Sequence, residues 1–181
     1  MVCRYSKIDA ACEVLSGCDR LWRQTSKGYT SDWKRNAGAS TIMQRVPVTL
    51  SRRRMPYLKS NFVPWVFASD GLMLAFYLDR LYIWDGKQYD AVDYADMEID
   101  ASLSHYREQE QVPRDATVLH YTWRFVRVDG GPDRRFNNNQ QIPVTLYAHL
   151  KLLSKTGMNV EVIFSNSERG VMFCNVIGGC V

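Results

Sequence analysis

The sequence predicts a mainly β fold of the α+β class, an antiparallel meander with a helix at each end. Three observations carry that expectation. From residue 62 onward, the short β-prone runs FVPWVFA, LMLAFYL, LYIWD and QYDAVDY are separated by SDG, DR and DGK, whose glycines and aspartates are turn chemistry. Two longer runs, VLHYTWRFV and VTLYAHLKL, alternate apolar and polar residues, as a strand does when one face is buried and the other wet. Helical spacing is confined to the two ends.

Taken in order, Ile8, Ala11, Cys12, Leu15 and Cys18 mark one face of an N-terminal helix that Gly17 ends. Residues 19–40 read as a strand followed by a loop. RVPVTL reads as a strand, and Pro47 assigns it to a sheet edge. The meander follows, then a strand over MEIDASLSHY and a polar connection over REQEQVPRDA with room for a helical turn. After the two alternating strands, NVEVIFS is the last strand. NSERGVMFCNVI reads as a closing helix, with Ser165 or Ser167 as cap and Val171, Phe173, Cys174 and Ile177 as its buried stripe, weakened by Gly170. Eight or nine strands in this order suit a bent sheet or partly open barrel plugged by a terminal helix, a layout like that of a pleckstrin-homology roll. The expected core contains Trp84, Trp123 and Leu146.

The chain has 181 residues, 46% of them hydrophobic, enough for one sizeable core. The expected division is a basic extension over 1–61, packed on a β domain over 62–181. Residues 1–60 carry 12 Lys/Arg against 4 Asp/Glu, and the remainder 11 against 15. That asymmetry fits an acidic partner, or docking of the basic third, Arg52–Arg54 included, on the acidic part of the same chain or of a second copy. Nucleic acid is the less favoured of these partners, because no known nucleic-acid motif is present. No apolar run is long enough to cross a membrane as a helix, and no signal-peptide pattern opens the chain, so the expected location is the cytoplasm. The five cysteines are odd in number, lie near the two ends and lack zinc-ligand spacing, which predicts reduced thiols and no metal site. Neither a P-loop nor a dinucleotide fingerprint occurs, so no cofactor is expected.

The densest motif is DGGPDRRFNNNQQIP, residues 129–143. As a structural turn, its glycines and Pro132 reverse the chain, Phe136 pins it, the asparagines satisfy backbone groups, and Asp133 pairs with Arg134 or Arg135. As a recognition loop, the same residues form a ligand-binding set. Arg134 and Arg135 would grip phosphate or carboxylate, Phe136 would stack, and Asn137, Asn138 and Asn139 would read polar edges, beside Arg124 and Tyr147 on the wet face. Both readings stay open on the sequence.

The segment TWRFVRVDGGPDRRFNNNQQIPVTLYAHLKLLSKTGMN resembles a family of uncharacterised bacterial proteins that read TW, a short strand, GGPDRRFNNN, then IP or LP and a strand ending in LY. FYLDRLYIWDG, AVDYADMEI, VPRDATV and DWKRNAGAS extend the resemblance over about three-quarters of the chain. Gln140-Gln141 departs from it, standing where that family carries a basic residue. The resemblance implies bacterial or phage origin and carries no established activity.

Only three histidines occur, His105, His120 and His149. With Val128 opposite Pro143, His120 and His149 would share the wet face with Arg124 and Tyr147 between them, a geometry for acid–base or metal chemistry. No nucleophile elbow or active-site cysteine context accompanies them. The expected function is therefore a non-enzymatic binding module for a protein partner or an acidic, phosphate-bearing ligand, in bacterial defence or phage counter-defence, with homo-oligomers compatible. The alternative is a hydrolase or nucleotide-processing enzyme built on His120, Arg124 and His149.

Overall fold

The computed structural model describes residues 2–29, 41–127 and 130–179, with the backbone alone for 2–4, 26–29 and 41–43. Helix α1 (Val2–Leu15) opens the chain. Strands β1 (Leu21–Tyr29) and β2 (Thr41–Arg52) come next. The meander supplies β3 (Trp65–Ser69), β4 (Leu72–Phe76), β5 (Arg80–Trp84) and β6 (Tyr89–Asp93). Beyond a 3-10 turn lie β7 (Met97–Arg107), β8 (Thr117–Trp123), β9 (Gln141–Ser154), β10 (Asn159–Phe164) and α2 (Ser167–Gly178). Antiparallel pairing joins ten strands in the order β6-β5-β4-β3-β2-β1-β10-β9-β7, with β8 also on β9, and the sheet curls into a half-barrel. The mainly β class with a helix at each end is what the alternation predicts.

Both helices pack in the curl. Ile8, Ala11, Cys12 and Leu15 of α1 and Phe173, Cys174 and Ile177 of α2 share one core with Val48, Phe67, Leu74, Phe76, Leu150, Val162 and Phe164 from across the sheet. That single core draws on residues before and after position 61. Gly170 lets α2 approach closely: a methyl there would meet the Ala148 methyl and stand 2.9 Å from the Phe164 ring. The N-cap of α2 is Asn166, whose side chain accepts from the Arg169 amide at 3.0 Å, rather than Ser165 or Ser167. Arg169 donates to the Gly17 carbonyl, which ties α2 to the end of α1.

Several expectations are corrected. Strand β2 is interior, because it pairs with both β1 and β3. Pairing with β3 starts only at Thr49, so Pro47 interrupts no ladder on that side. Trp84 is half-buried in a second apolar cluster around Val66, Ala75 and Tyr77, on the opposite face. Trp123 and Leu146 are half-buried as well. The segment between β7 and β8 turns once, around Arg114-Asp115, without a helix. No described helix is long and apolar enough to cross a membrane.

Candidate functional site

The loop between β8 and β9 holds itself together through two polar clamps. The Asn139 amide brackets Phe125, accepting from its N–H at 3.0 Å and donating to its carbonyl at 2.7 Å. Asp133 is buried, receives the Arg135 amide at 3.1 Å, and binds the Arg135 guanidinium through Nε and Nη2 at 3.0 and 2.6 Å. Those bonds to Arg135 hold the Asp133 carboxyl down at about 2. Phe125 and Phe136 stack 3.9 Å apart and 12° from parallel. Asn138 takes a left-handed φ of 59°, a conformation that asparagine tolerates better than most residues. Arg135, Asn139 and Phe136 thus serve the turn. Arg134 differs: it is exposed and makes no hydrogen bond or ion pair to another described residue. Asn137 is exposed. Val128 and Asp129 lie outside the described residues.

The expected hairpin register does not form. Pro143 stands opposite Tyr121, His120 opposite Val144, and a register shift occurs between Val118 and His120. The loop extends its own bonding from Arg124–Gln140 to the Val126–Pro132 bridge, beyond a β8–β9 ladder that ends at Trp123 opposite Gln141. His120 then shares a face with Val144, on the helix side, whereas His149 pairs with Ser102 and Ile163 on the other face. The two histidines therefore do not converge. His149 Nε2 instead lies 3.6 Å from Glu161, which also receives Lys151 at 3.5 Å. His105 is exposed on β7. Among the described residues, no group of three His, Cys, Asp or Glu side chains is placed to hold a metal ion.

Tyr147 is fully buried, not on a wet face. Its hydroxyl donates to Glu108 at 2.9 Å, and Arg45 donates to both Glu108 oxygens at 3.0 and 2.8 Å. The Arg45 guanidinium lies 4.7 Å over the Trp22 ring and 5.8 Å from that of Tyr106. Burial pushes the Glu108 carboxyl up, but the Arg45 bonds and charge outweigh it and hold the group below its ordinary value. Burial, helped by the Glu108 charge, pushes the Tyr147 phenol up to about 12. Both Glu108 oxygens are taken by donors of Arg45 and Tyr147, so the cluster reads as a built joint between β1, β2, β9 and the segment just after β7.

A third feature escaped the sequence reading. An apolar groove of about 920 Å³ runs along α2, lined by Val171, Met172 and Val176 of the helix, Leu103 of β7 and Leu146 of β9. Leu103 and Met172 are 51% and 52% exposed. Val171, expected in the buried stripe, is also exposed. Strand β7 ends the sheet order, so its outer edge is unpaired over eleven residues among the described ones, and its pairing with β9 runs without a bulge. The available signal was VM at 171–172 beside Phe173-Cys174: four consecutive apolar residues wrap a helix further than one buried face requires.

No protein-family model matches the chain, and neither a curated protein nor a solved structure matches it. The functional reading therefore rests on this geometry.

Proposed function

We propose that the protein is a non-enzymatic interaction module that takes an extended segment of a partner protein along β7. The observation that carries this reading is the unpaired, unbulged edge of β7 bordering an apolar groove. Natural sheets blunt long flat edges, and an edge left open is a template for another strand. An added strand would satisfy the outward backbone groups of β7. Its side chains on the helix side would enter the groove beside Leu103 and Met172. Those on the other face would meet Glu98 and Asp100, which are exposed. The partner segment is accordingly one that alternates apolar with basic residues. Three buried, unpaired thiols, Cys12, Cys18 and Cys174, suit a reducing compartment, in keeping with a cytoplasmic location.

Selection of random ten-residue peptides displayed against the protein tests the reading. Peptides that alternate apolar and basic residues should be enriched, and Leu103→Glu with Met172→Glu should abolish their binding. Both side chains are exposed, so the double variant keeps the fold. No enrichment, or selected peptides that bind the double variant equally well, overturns the proposal.

A further inference from the structure

We propose that the tip of the β8–β9 loop is a second, separate site, and that its ligand is a nucleotide: a planar ring carrying phosphate. Two stacked aromatic rings and a nearby cation form the tip. The Arg124 guanidinium lies 5.5 Å from the Phe125 ring centroid, and Phe125 stacks on Phe136 at 3.9 Å and 12°. Phe136 is nonetheless 41% exposed. One face of its ring is taken by Phe125, so the exposed area is available to a further ring. Every base offers such a π face, and stacking on an aromatic platform is the sequence-tolerant way to hold one.

The cation offered with this platform is Arg134, two residues before Phe136 in the chain. A hydrogen bond from the Phe136 amide to the Asp133 carbonyl at 3.3 Å closes a turn around Arg134 and Arg135. Arg135 folds back on Asp133 and neutralises it. Arg134 is exposed and has no partner among the described residues. A guanidinium in that state offers paired donors to a phosphate. Arg124 and Arg127, both exposed on the same loop, add positive charge.

Hydrogen bonds flank Phe136 on both sides. The Asn139 clamp on Phe125 and the Asp133–Arg135 pair hold the backbone there, which lowers the ordering cost of presenting that ring to a ligand. The inference does not depend on the β7 groove, which lies on other residues.

Isothermal titration with AMP, adenosine, pyrophosphate and a single-stranded octanucleotide tests it. AMP should bind more tightly than adenosine or pyrophosphate. Phe136→Leu, which keeps an apolar plug, should weaken AMP and adenosine roughly tenfold and leave pyrophosphate unchanged. Arg134→Ala should weaken AMP and pyrophosphate but not adenosine. If the natural source is the polymer, the octanucleotide will bind much more tightly than AMP and lose affinity in both variants; if it is the free nucleotide, the two will bind alike. Absence of AMP and octanucleotide binding, or binding unchanged in both variants, overturns the proposal.

Discussion

Arg45 and Glu108 meet end-on, two nitrogens to two oxygens at 3.0 and 2.8 Å, while the indole of Trp22 covers the guanidinium. One partner comes from β2, in the basic third, and the other from the segment just after β7. The pair ties the basic third to a later segment of the chain. By contrast, Arg52 turns to Asp9 of α1 at 2.6 Å and lies over Trp65, a contact within the first part and its neighbouring strand.

Removing one member of that pair leaves the other without its partner beside the buried Tyr147. Glu108→Ala should cost about 3 kcal/mol, the lower end for breaking a buried ion pair, because Arg45 is 21% exposed. Chemical denaturation measures it. The pH dependence has a definite sign. The Glu108 carboxyl titrates lower folded than unfolded, so its contribution is present above the unfolded value of about 4.3 and is lost as pH falls below it. The variant should lose that part of the acid sensitivity.

Gly170 is a packing requirement, despite being a poor helix former. Gly170→Ala should destabilise by about 1–3 kcal/mol, since the added methyl meets Ala148 and Phe164. Helix propensity alone predicts the opposite sign, so one thermal melt separates the two effects.

The loop arginines should behave differently from each other. Arg135→Ala releases Asp133 and should lower Tm, whereas Arg134→Ala should leave Tm unchanged. Asp133 titrates near 2 when folded, below its unfolded value of about 3.9. Its contribution is therefore present above about 3.9 and lost as pH falls through 2. The Tm difference between wild type and Arg135→Ala should narrow over that interval, and melts across acid pH will show whether it does.

Cys12, Cys18 and Cys174 are buried and unpaired. Burial pushes the Cys18 thiol up to about 11 and that of Cys174 to about 12, which keeps the reactive thiolate scarce. A thiol reagent at pH 8 should leave all three unmodified until the protein is unfolded. Modification of any of them in the native protein, followed by mass spectrometry, would contradict this.

Alternation was the legible part of the sequence. It placed the meander, β7, β9 and β10, because period two survives wherever one face is buried. The site was less legible. The turn reading did contain the Asp133 pairing with Arg134 or Arg135 and the asparagines on backbone groups. Register, however, depends on how many residues a loop uses for its own bonds, and nothing in the sequence shows that Asn139 reaches back to Phe125. That is why His120 and His149 were expected on one face and lie on two. Tyr147 was misplaced for a related reason: its partner, Glu108, comes from a segment that reads as polar connection. Pro47 looked like an edge marker because a sequence does not show that β3 joins β2 only beyond it.

The most direct test of the central claim is amide hydrogen exchange of β7, with and without a peptide selected on the protein. Open β7 should exchange quickly at its outward amides, and the bound peptide should slow exchange across residues 98–106, with no change in β6, the other end of the sheet. Protection confined to α2, or at no strand residue, would show that the peptide does not add to the β7 edge and would contradict the account.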